Sequence, residues 1–393
     1  MPLKTWTLID EQQNLIRDRR PLRIGPQDAG TSGDWSVTGH AWQDGLRAGV
    51  DGIEVHNGRL AVMVLPTRGM GIHRAVLAGC PELSPLGWKS PVRGPVHPAL
   101  VDLGEPSGLG WLDGFDELLV RCGLESNGAP EHDPQTGRLR YPLHGRIANR
   151  PAHHVTLSVD TDRGEIALRG VVEETRFHFL KLRLTSTIRT QLGSAAFEVL
   201  DEVENFSASP ATMQLLYHVN FGLPLLDAGS RVVAPAQRVV PRNRRAASGI
   251  DTWDSYAAPE PAFEEMVYFL SLWAGPDGQT RVLLKNAHGT RGVSLAWPAA
   301  ALPCFTLWKN TTSEQDGYVT GLEPGTNFPN PRSFEASRGR VVTLAPGQRQ
   351  AFALRLEAHA TPDEVAAAEA AVSRIAAGRL PQVERQPHPD WCA

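Results

Sequence analysis

Short apolar runs recur along the whole chain, and glycine or proline interrupts them at close intervals, 37 and 31 times in 393 residues. Punctuation this even leaves little room for long helices and describes many strands joined by turns. Residues 60–65, 166–172, 182–188, 197–203, 211–219, 282–284 and 350–356 are such runs. Several alternate apolar and polar residues with a period of two, the mark of a half-buried antiparallel strand. One helix stands out. It starts at Thr361-Pro362-Asp363-Glu364, a cap followed by proline in the first turn, runs through an alanine-rich stretch and stops near Gly378. No linker divides the middle, and no internal repeat is visible. The expected architecture is a single all-β domain over 41–380, built of stacked antiparallel sheets, with few short helices and a C-terminal helix. Residues 1–40 read as a leader or arm and 381–393 as an extended tail.

Composition removes several function classes. A net charge of -4 and a pI near 6.4 give no nucleic-acid footprint. The basic run at Arg242-Asn243-Arg244-Arg245 reads as a solvated loop. Cys80, Cys122, Cys304 and Cys392 form no C-x-x-C pair, which removes zinc-ribbon and redox readings. The first twenty residues lack an apolar core, and no run of about 18 apolar residues exists. A cytoplasmic protein with free thiols and no membrane partner is expected. No metal site is expected either: His153 and His154 are neighbours, so in a strand they face opposite ways. No nucleophile elbow, P-loop or dinucleotide fingerprint is present, so no cofactor is called for. The expected partner is a small molecule, and the expected state is monomer or homodimer.

Four segments carry polar chemistry. Glu323 ends a short β-type run from Tyr318 to Leu322 and precedes a stiff Pro/Gly/Asn loop that includes Asn327; a Glu at a strand end is a good way to present a general base. In the strand ending at Phe221, alternation puts Leu216, His218 and Asn220 on one face and Tyr217, Val219 and Phe221 on the other. His144, between Leu143 and Gly145-Arg146, can donate to a sugar oxygen, and the glycine permits close approach. Arg68, after a very apolar strand, offers a planar fork for vicinal hydroxyls or a carboxylate. Trp88 and Trp111 are candidate platforms for the C–H face of a sugar.

In order along the chain, His144-Gly145, Tyr217-His218-Val219-Asn220-Phe221 and Leu322-Glu323-Pro324 to Asn327-Phe328-Pro329 resemble the galactose mutarotase (aldose 1-epimerase) superfamily. Leu65 to Gly71, Gly87 to Pro91, Cys122-Gly123-Leu124 and Leu143 to Arg146 resemble, more narrowly, an uncharacterised bacterial aldose 1-epimerase-like branch. The resemblance spans roughly residues 45–360. It implies a β-supersandwich, a cofactor-independent isomerase interconverting sugar anomers, Glu323 as general base and His218 as general acid. It further implies His144 and Arg68 as substrate-orienting groups. Asn220, Trp88, Arg146, Lys309 and Asn327 are further binding candidates. Tyr217 stands where the family has Asn, and Asp227, Asp251 and Asp254 compete for the family's sugar-binding Asp. Two alternatives remain open. One is a lyase or isomerase acting on a uronic, keto or sulfo sugar, with Arg68 and Lys309 holding the acidic group. The other is a sugar-binding protein without activity.

Overall fold

The computed structural model describes residues 3–13 and 22–393. Two large sheets dominate it. In the nine-stranded sheet the order is Leu3–Asp10, Ala152–Asp160, Glu165–Thr175, Lys181–Gln191, Ala196–Asn205, Arg349–His359, Gly292–Pro298, Gln279–Lys285 and Arg231–Val233. Every neighbouring pair in it is antiparallel. The second sheet has thirteen strands, and its centre runs Leu119–Leu124, Ala211–Phe221, Val319–Gly325, Cys304–Asn310, Met266–Leu272 and Ala236–Pro241.

Period-two alternation explains both faces. Lys181–Gln191 alternates buried and half-buried along its length, with Leu182, Leu184 and Ile188 turned inward. The second sheet sends Val62, Ile72, Leu119, Tyr217, Val219, Leu307 and Leu322 into the same core. At about 25 cal/mol per Å² of apolar surface removed from water, such burial is the main favourable contribution to folding. One polar cluster lies in this inter-sheet layer. Arg121 meets Asp201 at 2.5 Å, donates to Ser186 Oγ at 2.7 Å, and Asp201 also accepts from Tyr217 OH at 2.8 Å. It ties the sheets together, with each charge matched by partners.

The C-terminal helix is Pro362–Ala376 and starts as expected. Thr361 caps it, with Glu364 closing the capping box, an arrangement contributing about 1 kcal/mol. Val365, Ala368 and Val372 pack on Leu283. The segments set apart as leader and tail contribute strands. Leu3–Asp10 edges the nine-stranded sheet, Leu22–Ile24 and Ser36–Ala41 extend the other, and Gln382–Val383 pairs in parallel with Ala236–Pro241. Residues 1–2 and 14–21 of that leader lie outside the described residues. Among the described residues no helix is long and apolar enough to cross a membrane.

Candidate active site

On the outer side of the thirteen-stranded sheet, strands and loops enclose a cavity of about 260 Å³. The strand pairing decides what faces it. Ala211–Phe221 lies between Leu119–Leu124 and Val319–Gly325, with Val219 opposite Leu322. Val319–Gly325 pairs onward with Cys304–Asn310, which puts Glu323 opposite Thr306. The next strand puts Val267 opposite Trp308. His218, Glu323, Thr306, Trp308 and Val267 therefore form a floor across four adjacent strands. The alternation read from the sequence holds: Tyr217, Val219 and Phe221 enter the core, and His218 faces the cavity. Glu323 differs slightly from expectation. It sits inside the strand, which continues to Gly325, and is not at its end.

Glu323 Oε1 lies 3.2 Å from His218 Nε2 but outside hydrogen-bond geometry, so a buried carboxyl oxygen keeps no hydrogen-bond partner. Space for it comes from Gly321, where an added Cβ would fall 2.3 Å from Glu323 Oε1. The other side of His218 is fixed. Asn220 Nδ2 donates to the Glu117 and His218 carbonyls at 3.0 and 3.2 Å, so its Oδ1 faces His218 Nδ1 at 2.6 Å as an acceptor. His218 Nδ1 must carry hydrogen, and neutral His218 presents a bare Nε2 to Glu323. Asn220 is thus a holder of His218 and does not reach the ligand space.

Aromatic rings wrap the imidazole: Phe115 at 5.1 Å, Trp308 at 5.3 Å and Trp111 at 6.2 Å between centroids. This apolar shell desolvates both groups. Burial, reinforced by His144, pushes His218 well below the usual imidazole range. Burial, reinforced by Glu265 and opposed by Arg242, pushes Glu323 well above the usual carboxyl range. Burial thus disfavours charge on both groups, an arrangement suited to sharing one proton between them.

His144 stands 5.4 Å from His218 and 4.6 Å from Trp111, ring to ring. Its Nδ1 lies 3.0 Å from the Asn127 carbonyl, which can only accept. Burial lowers its pKa to about 4, so it is neutral with Nε2 bare. The expected donor is therefore an acceptor at the cavity. Gly145 lets this turn pack: a Cβ there would lie 2.1 Å from the Ser126 carbonyl.

Several expected ligand contacts lie elsewhere. Arg68 is 1% exposed and spends its fork on Glu117 (2.6 Å), Asn149 and the Val96 and Gly114 carbonyls. Those bonds fasten the segment that carries Trp111 and Phe115, so Arg68 supports the site from behind. Trp88 donates to the Glu117 carbonyl and packs on Phe115 at 4.8 Å, one layer back. Lys309 faces away from the cavity, donates to the Thr252 and Ser255 carbonyls, and lies over Tyr256 and Tyr268. Arg146 is half-buried and outside the lining. Asn327 pairs its amide reciprocally with that of Asn127, at 2.8 and 2.9 Å. Since Asn127 also holds His144, Asn327 acts at one remove.

Other residues were not foreseen. Arg242, expected in solvent, lines the mouth and pairs with Glu265 at 2.7 Å, and Glu265 accepts from Trp308 Nε1 at 2.7 Å. Glu265 is thus a lining carboxylate held from both sides, by Arg242 and by Trp308. Asp227 instead accepts from Ser230, Asp254 pairs with Arg231, and Asp251 pairs with Arg385. Thr306 and Trp308 could have been found by carrying the alternation across the hairpin from Glu323. Arg242 and Glu265 have no such local signal. Among the described residues no group of three His, Cys, Asp or Glu side chains is placed to hold a metal ion.

A family model described as "Domain of unknown function (DUF4432)" matches residues 47–358. A crystal structure from Klebsiella pneumoniae subsp. pneumoniae MGH 78578, provisionally named an aldose 1-epimerase, is 34% identical to this chain. The match covers 98% of this chain and 99% of that one, with a TM-score of 0.92. A galactose mutarotase-like protein of Clostridium acetobutylicum is 14% identical over 80% of this chain and 96% of its own, at a TM-score of 0.55. A galactose 1-epimerase of Lactobacillus acidophilus NCFM is 12% identical over 83% and 99%, at 0.53. These two share the galactose mutarotase-like fold. No protein of curated function matches the chain.

Proposed function

The chain belongs to the family of the domain of unknown function DUF4432, and from that premise we propose that it is an aldose 1-epimerase-type isomerase of a monosaccharide. The observation that carries this reading is the Glu323–His218 pair, 3.2 Å apart, desolvated and open to a cavity of about 260 Å³. A cavity that small suits one sugar ring.

Anomer exchange opens a hemiacetal. A proton leaves the anomeric hydroxyl, one arrives at the ring oxygen, and the C1–O5 bond breaks to give the open aldehyde. Rotation about C1–C2 and closure with reversed proton transfers give the other anomer. Two groups sharing one proton suit this sequence, because one is always acid while the other is base. With the proton on Glu323, the carboxyl donates and His218 Nε2 accepts; with it on His218, the roles exchange. Each group contributes roughly 10²–10⁴-fold. His144 Nε2 accepts from a sugar hydroxyl, Arg242 and Glu265 bind hydroxyls at the mouth, and Trp111 and Trp308 cover the C–H face. The lyase alternative drew on Arg68 and Lys309 to hold an acidic group; both are spent on protein partners outside the cavity. The proposed reaction uses no cofactor.

Exchange NMR of anomeric protons, run on a panel of neutral, keto and uronic sugars, tests the proposal. Accelerated exchange in wild type and none in Glu323→Gln is expected. New olefinic signals would transfer the site to lyase chemistry, and broadening without exchange would make it a binding protein.

A further inference from the structure

The tail of the described chain ends against the outer wall of the cavity. Gln382–Val383 runs beside Ala236–Pro241, and Glu384 pairs with Arg238 at 2.7 Å. Arg338 and Arg340 donate to the Pro389 and Asp390 carbonyls at 3.0 and 2.9 Å. Trp391 then packs at a tilt against Phe328 at 4.7 Å with Arg238 over its ring, and Phe328 stacks in turn on Phe269 at 4.6 Å. Asn330 is bracketed: it donates to the Trp391 carbonyl at 2.8 Å and accepts from the Ala393 amide at 3.2 Å. Cys392 Sγ reaches the Pro241 carbonyl at 3.6 Å.

Three of the residues gripped in this way, Phe328, Asn330 and Pro241, adjoin ones that line the cavity. Phe328 and Asn330 flank Pro329, Pro241 precedes Arg242, and the Arg242 amide donates to the Val267 carbonyl at 2.9 Å. Asn327, next to Phe328, is the partner of Asn127, whose carbonyl orients His144. We infer that residues 388–393 are a buttress of the candidate active site and that Trp391 is a positioning residue for Arg242 and His144. Its ring packs behind the 326–330 loop, and without it Phe328 loses an aromatic neighbour and the main-chain groups of 391–393 that bond Asn330 lose the anchor that seats them. Trp391 is remote from the sugar, so its effect falls on how the wall is held. This inference rests on the reading of the cavity as a sugar site.

The test combines amide hydrogen exchange with anomer-exchange kinetics on wild type, Trp391→Ala, the milder Trp391→Leu, and Trp391→Phe. In the Ala and Leu variants, exchange at 326–330 and 240–243 is expected to rise about tenfold or more while strands of the nine-stranded sheet keep their protection. KM is expected to rise about tenfold with kcat within about threefold, and Trp391→Phe to restore most of it. Unchanged protection of both segments in a folded Leu variant would overturn the inference, as would a rise spread evenly over the molecule. If wild type exchanges no sugar, the functional reading fails, and hydrogen exchange still decides whether the tail holds the wall.

Discussion

The two faces of strand Ala211–Phe221 each carry a buried polar cluster, and the clusters obey opposite rules. On the inner face Tyr217 joins Asp201, Arg121 and Ser186, where the carboxylate is matched by a guanidinium and a phenol. On the outer face His218 meets Glu323, whose Oε1 has no hydrogen-bond partner, and Thr306 Oγ1 nearby has none either. A satisfied cluster specifies how sheets dock. An unsatisfied one raises the energy of the folded state and is retained where a ligand completes it. The difference teaches that burial alone does not single out a candidate reactive group, whereas burial with unmet hydrogen bonds facing a cavity does.

The sharpest way to break this contrast is to exchange the acids on the two faces. Glu323→Gln is expected to lower anomer exchange by about 10³-fold or more, while thermal unfolding stays level or moves upward, since a costly buried carboxyl is lost. A large fall in stability would place Glu323 with the structural cluster. Asp201→Asn should do the reverse, costing roughly 3–5 kcal/mol by stranding Arg121, with turnover per folded molecule retained. Urea titration beside active-fraction kinetics separates the two.

Asn220→Ala refines the comparison within the outer face. It frees the tautomer of His218, and a loss of roughly 2 kcal/mol, or about thirtyfold in kcat, is expected. An unchanged kcat would show that His218 needs no orienting partner. The smallest effect is that of pH. His218 and His144 have lowered pKa values, so both imidazoles stay uncharged near neutral pH, while burial raises that of Glu323. Turnover corrected for spontaneous exchange should be insensitive to histidine titration at neutral pH and fall toward about pH 4 as His144 takes a proton. Stability follows the same sign for His144: the unfolded chain binds the proton more readily between pH 6.5 and about 4, so acid destabilises the fold across that window. His144→Gln should reduce that acid sensitivity, read as the change in melting temperature between those limits.

Much of the architecture was legible because period two is stated in the sequence itself. The runs near 182–188, 197–203 and 211–219 became strands, and the cap at Thr361 began the helix. The face assignment of His218 followed from the same alternation. Arg68 misled because a guanidinium after an apolar strand looks free until the segment it fastens folds over it. Arg242 and Glu265 were hidden for another reason. They meet because the strands before and after the intervening loop pair, with Pro241 opposite Tyr268, and no short-range pattern encodes that meeting.

The reciprocal amide pair of Asn127 and Asn327 bears on how the protein ages. Asn127 is followed by Gly128, the dipeptide in which a side-chain amide most readily cyclises onto the next backbone nitrogen and loses ammonia. Here that amide is held by Asn327, and Gly128 is pressed so closely against the 329–330 backbone that a Cβ would lie 2.0 Å from the Asn330 carbonyl oxygen. Attack requires the amide to swing toward a nitrogen it is held away from. The lock that orients His144 therefore also slows a spontaneous chemical clock, and stored protein should keep this asparagine intact for as long as the loop stays closed.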